Sequence, residues 1–512
     1  MNIIEQLENI TPYNGRPVEV VDKKWLISFN GYKKKKQNFN TYYQFDPLAI
    51  VYCESPEQVS EVVQLAGKEN RILRVRSGGH DHEAECSATG AIVIDLSKMK
   101  HVSFDKATKI AEIEPGARFE DIVRILSAYD VSIPHGTCPS VAIAGFISGG
   151  GWGPWTRSKG MCCESLVAVS IVLGNGEIAY LDERTQRGRE LLWAIRGGGG
   201  MSYGIITKFY IETFPLPDEL IKFELTFKGR FKSMDVFKVW EDMIAPSNNP
   251  ELTGTNIKIK ARNPEDKDSI EECVIYGSFA ESSETFKTKL KVWLKPLETD
   301  ESFLEEYLKI EEIREKGKQI AGQIFFEELY VNWELGQAKL RGGTPSPHKV
   351  TSRVVVEDGW GASGRQNLYE SLNTCILPTS QELKDSGIEC YATHNAISGA
   401  YYANHKAAGT GNTESSFPYK QRPFIIQYQA WWKLEGNIPE AKFKKCLNSV
   451  LEWQQECRDR SFPETSGSFI SFKDASIMTK HYFAESYEEL KRIKEKWSND
   501  PENIFSSRKT II

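Results

Sequence analysis

No stretch of the 512 residues approaches the ~20 consecutive apolar residues that a bilayer-spanning helix needs, so no membrane partner is expected. The opening residues, Met1-Asn2-Ile3-Ile4-Glu5-Gln6, lack the basic region and apolar core of a secretory leader. An excess of positive charge is missing too. With 64 Lys and Arg against 70 Asp and Glu, the net charge is −6, and the chain lacks the basic field that attracts nucleic acid. The run Lys33 to Lys36 reads as a solvated face. Ten cysteines at irregular spacing contain no Cys-x-x-Cys pair, which excludes a disulfide framework, and the adjacent Cys162 and Cys163 read as buried thiols. Reduced thiols point to a cytoplasmic protein. Internal repeats and low-complexity tracts are absent as well, while 40% hydrophobic and 26% charged residues are ordinary for a globular chain.

What is present is an α/β pattern that gives way to a second texture. Ser55-Pro56-Glu57-Gln58 predicts a helix start, with Val59, Val62, Val63 and Ala66 on one face. Strands are predicted near 72–76, 91–96, 110–114, 166–173, 177–181 and 205–211, with Asn175-Gly176 as a hairpin turn. A helix carries Phe119, Ile122, Val123 and Leu126. Two prolines in Phe214-Pro215-Leu216-Pro217 mark a boundary. Beyond it, alternating Ile221, Phe223, Leu225 and Phe227 begin a set of strand-like runs at 257–261, 271–279, 351–357, 389–402 and 424–433. Together with helices near 283–297 and 439–457, these predict one antiparallel sheet backed by helices. A last helix is expected at 487–497.

Two stretches carry chemistry. In Arg74-Val75-Arg76-Ser77-Gly78-Gly79-His80-Asp81-His82, a strand ends in a turn whose backbone amides suit phosphate, and Arg76 could add charge-assisted hydrogen bonds. In the second, Gly145, Gly149, Gly150, Gly151 and Gly153 fall within nine residues, which argues against helix or regular strand and suits a flat ligand at contact distance. Cys138, fixed before Pro139, is a candidate nucleophile or attachment point. A zinc set of His80, His82, Cys86 and Cys138 matches no common structural spacing, so no metal is expected. His82 reads instead as a surface or supporting residue.

Taken together, these motifs resemble the berberine-bridge-enzyme-like branch of the vanillyl-alcohol-oxidase flavoproteins. The matches are Arg76 to His80, Gly136 to Val141, Gly149 to Gly153, Ser202 to Thr207, and Asp500 to Phe505. The resemblance implies an α+β chain with a two-part FAD-binding domain, residues 1–214 with 471–512, around a substrate domain, 215–470. It implies FAD bound covalently through His80 to the flavin 8α carbon and through Cys138 to C6. Arg76, Ser77, Gly78, Gly79, Asp81, Val141, Gly145, Gly149, Gly150, Gly151, Gly153, Gly204, Ile205 and Tyr482 are then the further cofactor-binding candidates. The activity implied is an oxidase acting on a bulky alcohol-like small molecule, a natural product or carbohydrate, with O2 reduced to hydrogen peroxide. Val141 stands where oxygen-reactive relatives tend to have valine. An oxidative cyclase or desaturase of secondary metabolism, and a flavin-binding protein without oxidase activity, are the alternatives; the oligomeric state stays open.

The sequence departs from the family at the base. Ile425 stands where berberine bridge enzymes carry glutamate, Phe472 replaces the tyrosine of the Asn-Tyr-Arg-Asp run, and Phe146 replaces a histidine. Substitutes are sought on neighbouring strands: Tyr401, Tyr402, His394 and Ser398 on one, with Tyr391, and Gln427 and Gln429 on the other. Trp333, Trp360, Tyr428 and Trp431 suggest a stacking pocket.

Overall fold

A computed structural model describes residues 2–23, 29–245, 249–315, 324–325, 345–407, 415–433 and 438–512. Trp333 lies outside them. The architecture is α+β, built on three main sheets.

The first is small and mostly parallel. Strands Ala49–Tyr52 and Leu73–Arg76 flank Ile92–Asp95 in parallel, and Glu19–Asp22 closes one edge antiparallel. Residues 49–52 and 92–95 are buried without a break, as a parallel sheet covered on both faces requires. The crossover between the first two strands is the helix Pro56–Lys68. It opens with Ser55 Oγ accepting from Gln58 N–H at 3.3 Å and Pro at its first turn. Val59, Val62, Val63 and Ala66 point into the sheet.

The second sheet is antiparallel, in the order Val102–Asp105, Ile110–Ile113, Ile205–Glu212, Leu166–Val172, Ile178–Leu181. Helices Phe119–Ser127 and Gln186–Ile195 bury their apolar faces in the same core. Inside the glycine-rich stretch the structure corrects the sequence reading: Ile143–Ser148 forms a short helix. Ile143 and Ile147 anchor it in the core, and one interior glycine costs only about 1 kcal/mol relative to alanine.

The third sheet has seven antiparallel strands, ordered Leu308–Arg314, Leu220–Lys228, Glu272–Phe279, Leu252–Lys260, Glu389–Ala396, Phe424–Trp431, His348–Val354. Helices including Ser233–Ile244, Ser283–Leu294 and Glu440–Asp459 pack on one face. The strand expected over 389–402 ends at Ala396; Ser398-Gly399 break it, and Ala400–Ala407 is a helix.

The C-terminal segment returns to the first sheet. Asp500 accepts the backbone N–H groups of Ile504 and Phe505, and the Phe505 ring is fully buried beside Ile92 and Ile94. Among the described residues no helix is long and apolar enough to cross a membrane.

Candidate active site

Where the three sheets meet the C-terminal segment, a cavity of about 370 Å³ opens, within the roughly 300–1,000 Å³ usual for small-molecule sites. Both reactive side chains singled out in the sequence, His80 and Cys138, border it. The His80 ring is clamped: Phe39 stacks on it at 4.0 Å and 24°, and Ser140 Oγ lies 3.3 Å from Nε2. Burial, with smaller pushes from His82 and Arg118, lowers the His80 pKa to about 3. At neutral pH the imidazole is therefore uncharged and keeps a nucleophilic lone pair.

Strand alternation decides which neighbours reach the cavity. Val75 and Ser77 border it, and Arg76 between them turns away. Its Nε sits 2.6 Å from Asp95 Oδ2 and a terminal nitrogen donates to the Lys35 carbonyl. Arg76 is thus a buried post under the loop, a correction to its expected role as a phosphate ligand. Ser77, Gly78, Gly79, Asp81, Val141, Gly145, Gly149, Gly204 and Ile205 do line the cavity. Gly150, Gly151 and Gly153 do not. They face the rings of Phe417 and Phe469, the side chains of Cys162 and Phe146, and the His135 carbonyl, respectively. A Cβ on Gly153 would fall 1.9 Å from that carbonyl oxygen, so this glycine serves close packing. Tyr482 is also misplaced by the sequence reading: its buried hydroxyl donates to the Asp474 carbonyl at 2.8 Å, away from the cavity.

The catalytic candidates divide in the same way. Gln427, Gln429, Tyr391 and Trp431 point into the cavity from adjacent strands. Gln429 Nε2 donates to Thr393 Oγ1, and its Oε1 accepts from Trp431 Nε1 at 2.9 Å. His394 lies on the opposite face of its strand, between Phe237, Trp240 and Phe424, with Nδ1 3.0 Å from the Ile257 carbonyl. Burial lowers its pKa to about 3, and it belongs to the core behind the sheet. Ser398 donates to the Ile244 carbonyl and its own carbonyl takes the Arg157 guanidinium. Tyr401 covers Gly160, and the Tyr402 hydroxyl accepts from Met161 N–H. All four lie off the cavity: His394 because alternation turns it to the other face of its strand, and Ser398, Tyr401 and Tyr402 because the chain leaves the strand at Ala396. Trp360 and Tyr428 likewise sit in the helix-backed core.

Two residues at the site had no signal in the sequence. Phe39 lies in a segment without clear periodicity and lines the cavity, and His348, isolated in the chain, is buried behind the wall against Phe39 and His82. Lys473 bridges the rim, 2.7 Å from Asp81 Oδ2 and 3.5 Å from Glu85 Oε2. Burial opposes ionisation of Asp81, but Lys473 and the backbone N–H groups of Glu83 and Glu85 outweigh it and hold its pKa below 3.8. Glu389 shows the reverse: burial pushes its carboxyl up to about 7 despite Lys258 and Lys260. Among the described residues no group of three His, Cys, Asp or Glu is placed to hold a metal ion.

The lining suits a flat, polar aromatic cofactor. Gly145 and Gly200 border the cavity with only open space where a Cβ would stand, and Gly78 passes so close to Ala142 that a Cβ would meet its nitrogen at 2.8 Å. Gln427 Oε1 is buried at the wall without a protein partner, among the described residues, and calls for a ligand donor.

Residues 47–182 match the FAD binding domain family, and residues 468–512 match the family described as berberine and berberine like. With this fold, those matches define the class: the chain is an FAD-dependent oxidoreductase. Nearly the whole chain aligns with the carbohydrate oxidase of Microdochium nivale, 32% identical over 503 residues, 93% of this chain and 89% of that one. Berberine bridge enzyme-like 21 of Arabidopsis thaliana is 24% identical over 495 residues, 92% of this chain and 84% of the plant protein. The chain belongs to the berberine-bridge-enzyme-like branch of the vanillyl-alcohol-oxidase flavoproteins. The fold is shared with the glucooligosaccharide oxidase of Acremonium strictum, TM-score 0.76 at 20% identity, covering 96% of this chain and 97% of that chain.

Proposed function

We propose that this flavoprotein oxidises a hydroxyl-bearing carbon of a bulky, carbohydrate-like alcohol, passes the electrons to O2 and releases hydrogen peroxide, with FAD tethered covalently at both His80 and Cys138. The observation that carries the reading is that an uncharged imidazole and a thiol, 58 residues apart in sequence, border one cavity. The Acremonium strictum oxidase carries a 6-S-cysteinyl, 8α-N1-histidyl FAD, which supports two tethers here. Bound FAD supplies the two-electron acceptor. Of the chain's own residues, Trp431 offers a stacking face, and Gln427 and Gln429 offer amides to substrate hydroxyls. Val141, at the cavity wall, leaves room for O2. Residues 1–214 and 471–512 form the flavin-holding unit in this reading, and 215–470 the substrate unit.

The test has two arms. Acid-precipitated holoenzyme should keep its yellow colour and the mass of FAD. Anaerobic mixing with cellobiose or a related oligosaccharide should bleach the flavin band, with peroxide formed on readmitting air. Colour lost to the supernatant refutes the tethers; failure of every sugar to bleach the band refutes the substrate class. A ring closure or desaturation is the second reading, favoured by the apolar Ile425 and Phe472. Product mass separates it from simple alcohol oxidation.

A further inference from the structure

Two imidazoles meet beside the cavity: His82 lines it and His348 is buried behind. His82 Nδ1 and His348 Nε2 are 2.9 Å apart, with the rings nearly perpendicular. A hydrogen bond between two neutral imidazoles needs one N–H and one lone pair, so the tautomers of the pair are tied. The other nitrogen of His348, Nδ1, lies 2.9 Å from the Ser346 carbonyl oxygen, which can only accept. His348 therefore carries its hydrogen on Nδ1 and a lone pair on Nε2. His82 must donate from Nδ1, which leaves the lone pair on its Nε2. His82 borders the cavity, and its Nε2 has no hydrogen-bond partner among the described residues.

The surroundings keep both rings uncharged. Burial lowers His82 to about 4 and His348 well below its usual value. The charged groups beside His82 are Asp81, which raises its pKa, and Lys473, which lowers it; these two are ion-paired to each other at 2.7 Å. On the far side the His348 ring stacks on Trp431 at 4.0 Å and 27°. An indole face stabilises a neighbouring cation, so a positive charge shared by the two rings has a place to rest. The edge of Phe472 closes the site 6.3 Å from His82 and brings no ionisable group.

We propose that His82 Nε2 is the general base of the oxidation, with His348 as the positioning residue that fixes its tautomer. The proposal rests on the oxidase reading above. In the step, the substrate O–H bond breaks and its proton goes to Nε2. The electron pair left on oxygen forms the second C–O bond, while the C–H hydrogen leaves as hydride to FAD. Both electrons pass on to O2, and the hydride hydrogen and the proton from His82 complete H2O2. The rival base is Glu389, which also borders the cavity.

The experiment combines two readouts on the holoenzyme. In ¹⁵N-imidazole-labelled protein without substrate, NMR should show His82 and His348 both protonated on Nδ1 at neutral pH. His348→Leu should free the His82 tautomer, and His348→Gln, whose Oε1 accepts the same N–H, should hold it. The second readout is anaerobic flavin reduction by cellobiose. His82→Asn keeps a donor toward His348 but no base; it should retain bound yellow flavin and slow reduction by roughly 10²–10⁴-fold. Added imidazole should restore part of the rate, which a merely structural defect would not allow. Glu389→Gln should slow the bleaching at saturating sugar less than His82→Asn does. His82 found protonated on Nε2, His82→Asn reducing at full rate, or Glu389→Gln taking the loss would each overturn the proposal. If the unaltered enzyme is not bleached at all, the substrate reading fails, and the tautomers still decide whether His82 holds a free basic nitrogen.

Discussion

His80 shows how one side chain acquires a reactive state. Its ring is sandwiched under Phe39, held at Nε2 by Ser140 and kept neutral by burial, so the nucleophilic nitrogen is available without an added base. Cys138 reaches the same cavity from a Gly-x-Cys-Pro loop. Cys138→Ala should leave flavin attached through His80 alone, and colour should stay with the acid-precipitated protein. Adding His80→Ala should release it to the supernatant. The two faces of the substrate sheet give a second comparison. Gln427→Leu removes the buried amide at the wall and should weaken sugar binding, raising KM. His394→Phe fills the aromatic core behind the sheet and should leave anaerobic bleaching by cellobiose unchanged. Loss of bleaching in His394→Phe would place that imidazole in the site after all.

At the scale of the element, alternation and capping explain most of what the motifs could and could not reveal. The helix start at Ser55 was legible because a capping hydroxyl and a proline at the first turn act locally. Ser55→Ala should cost about 1 kcal/mol, seen as faster amide hydrogen exchange at Gln58, whose N–H the hydroxyl accepts. Arg76 and His394 were read from motif and strand, and alternation turns both away from the cavity. Tyr401 and Tyr402 were read as strand residues. Tyrosine suits a strand, but Ser398-Gly399 ends it and Ala400–Ala407 is a helix. The glycines divided for a similar reason. Gly145 and Gly149 face the cavity and Gly153 faces a carbonyl, a difference set by the partner across the gap.

For the molecule as a whole, the C-terminal segment decides whether the cavity exists. It supplies Phe469 to Lys473 to the wall and anchors itself by burying Phe505 against the first sheet. Phe505→Ala should cost about 3–5 kcal/mol, read as a lower urea midpoint, and weaken flavin retention during expression. Lys473 ties this segment to Asp81 and Glu85. Because the Asp81 pKa in the fold lies below its ordinary 3.8, its contribution is complete above about pH 4 and lost as the pH falls through the folded value. Lys473→Met leaves Asp81 Oδ2 without its cation, while Glu85 keeps Arg508, so the urea midpoint should drop most at neutral pH, with the gap to the unaltered protein closing as acid protonates Asp81. A gap that widened in acid would show that the ion pair does not hold the segment.

Local chemistry was written in the chain: glycine spacing, the His80 and Cys138 motifs, helix caps and strand alternation each depend on residues within a few positions of one another. Those signals marked the helices, strands and glycine loops, and the family that the motifs resemble implied the α+β class, the flavin and the two attachment candidates. Which residues line the cavity was decided only by contacts between residues hundreds of positions apart. His82 gained its orientation from His348, 266 residues away, and the rim gained its charge balance from Lys473, 392 residues from Asp81. A hydrogen bond fixes a tautomer, and burial fixes a charge state, only after the fold has brought the partners together.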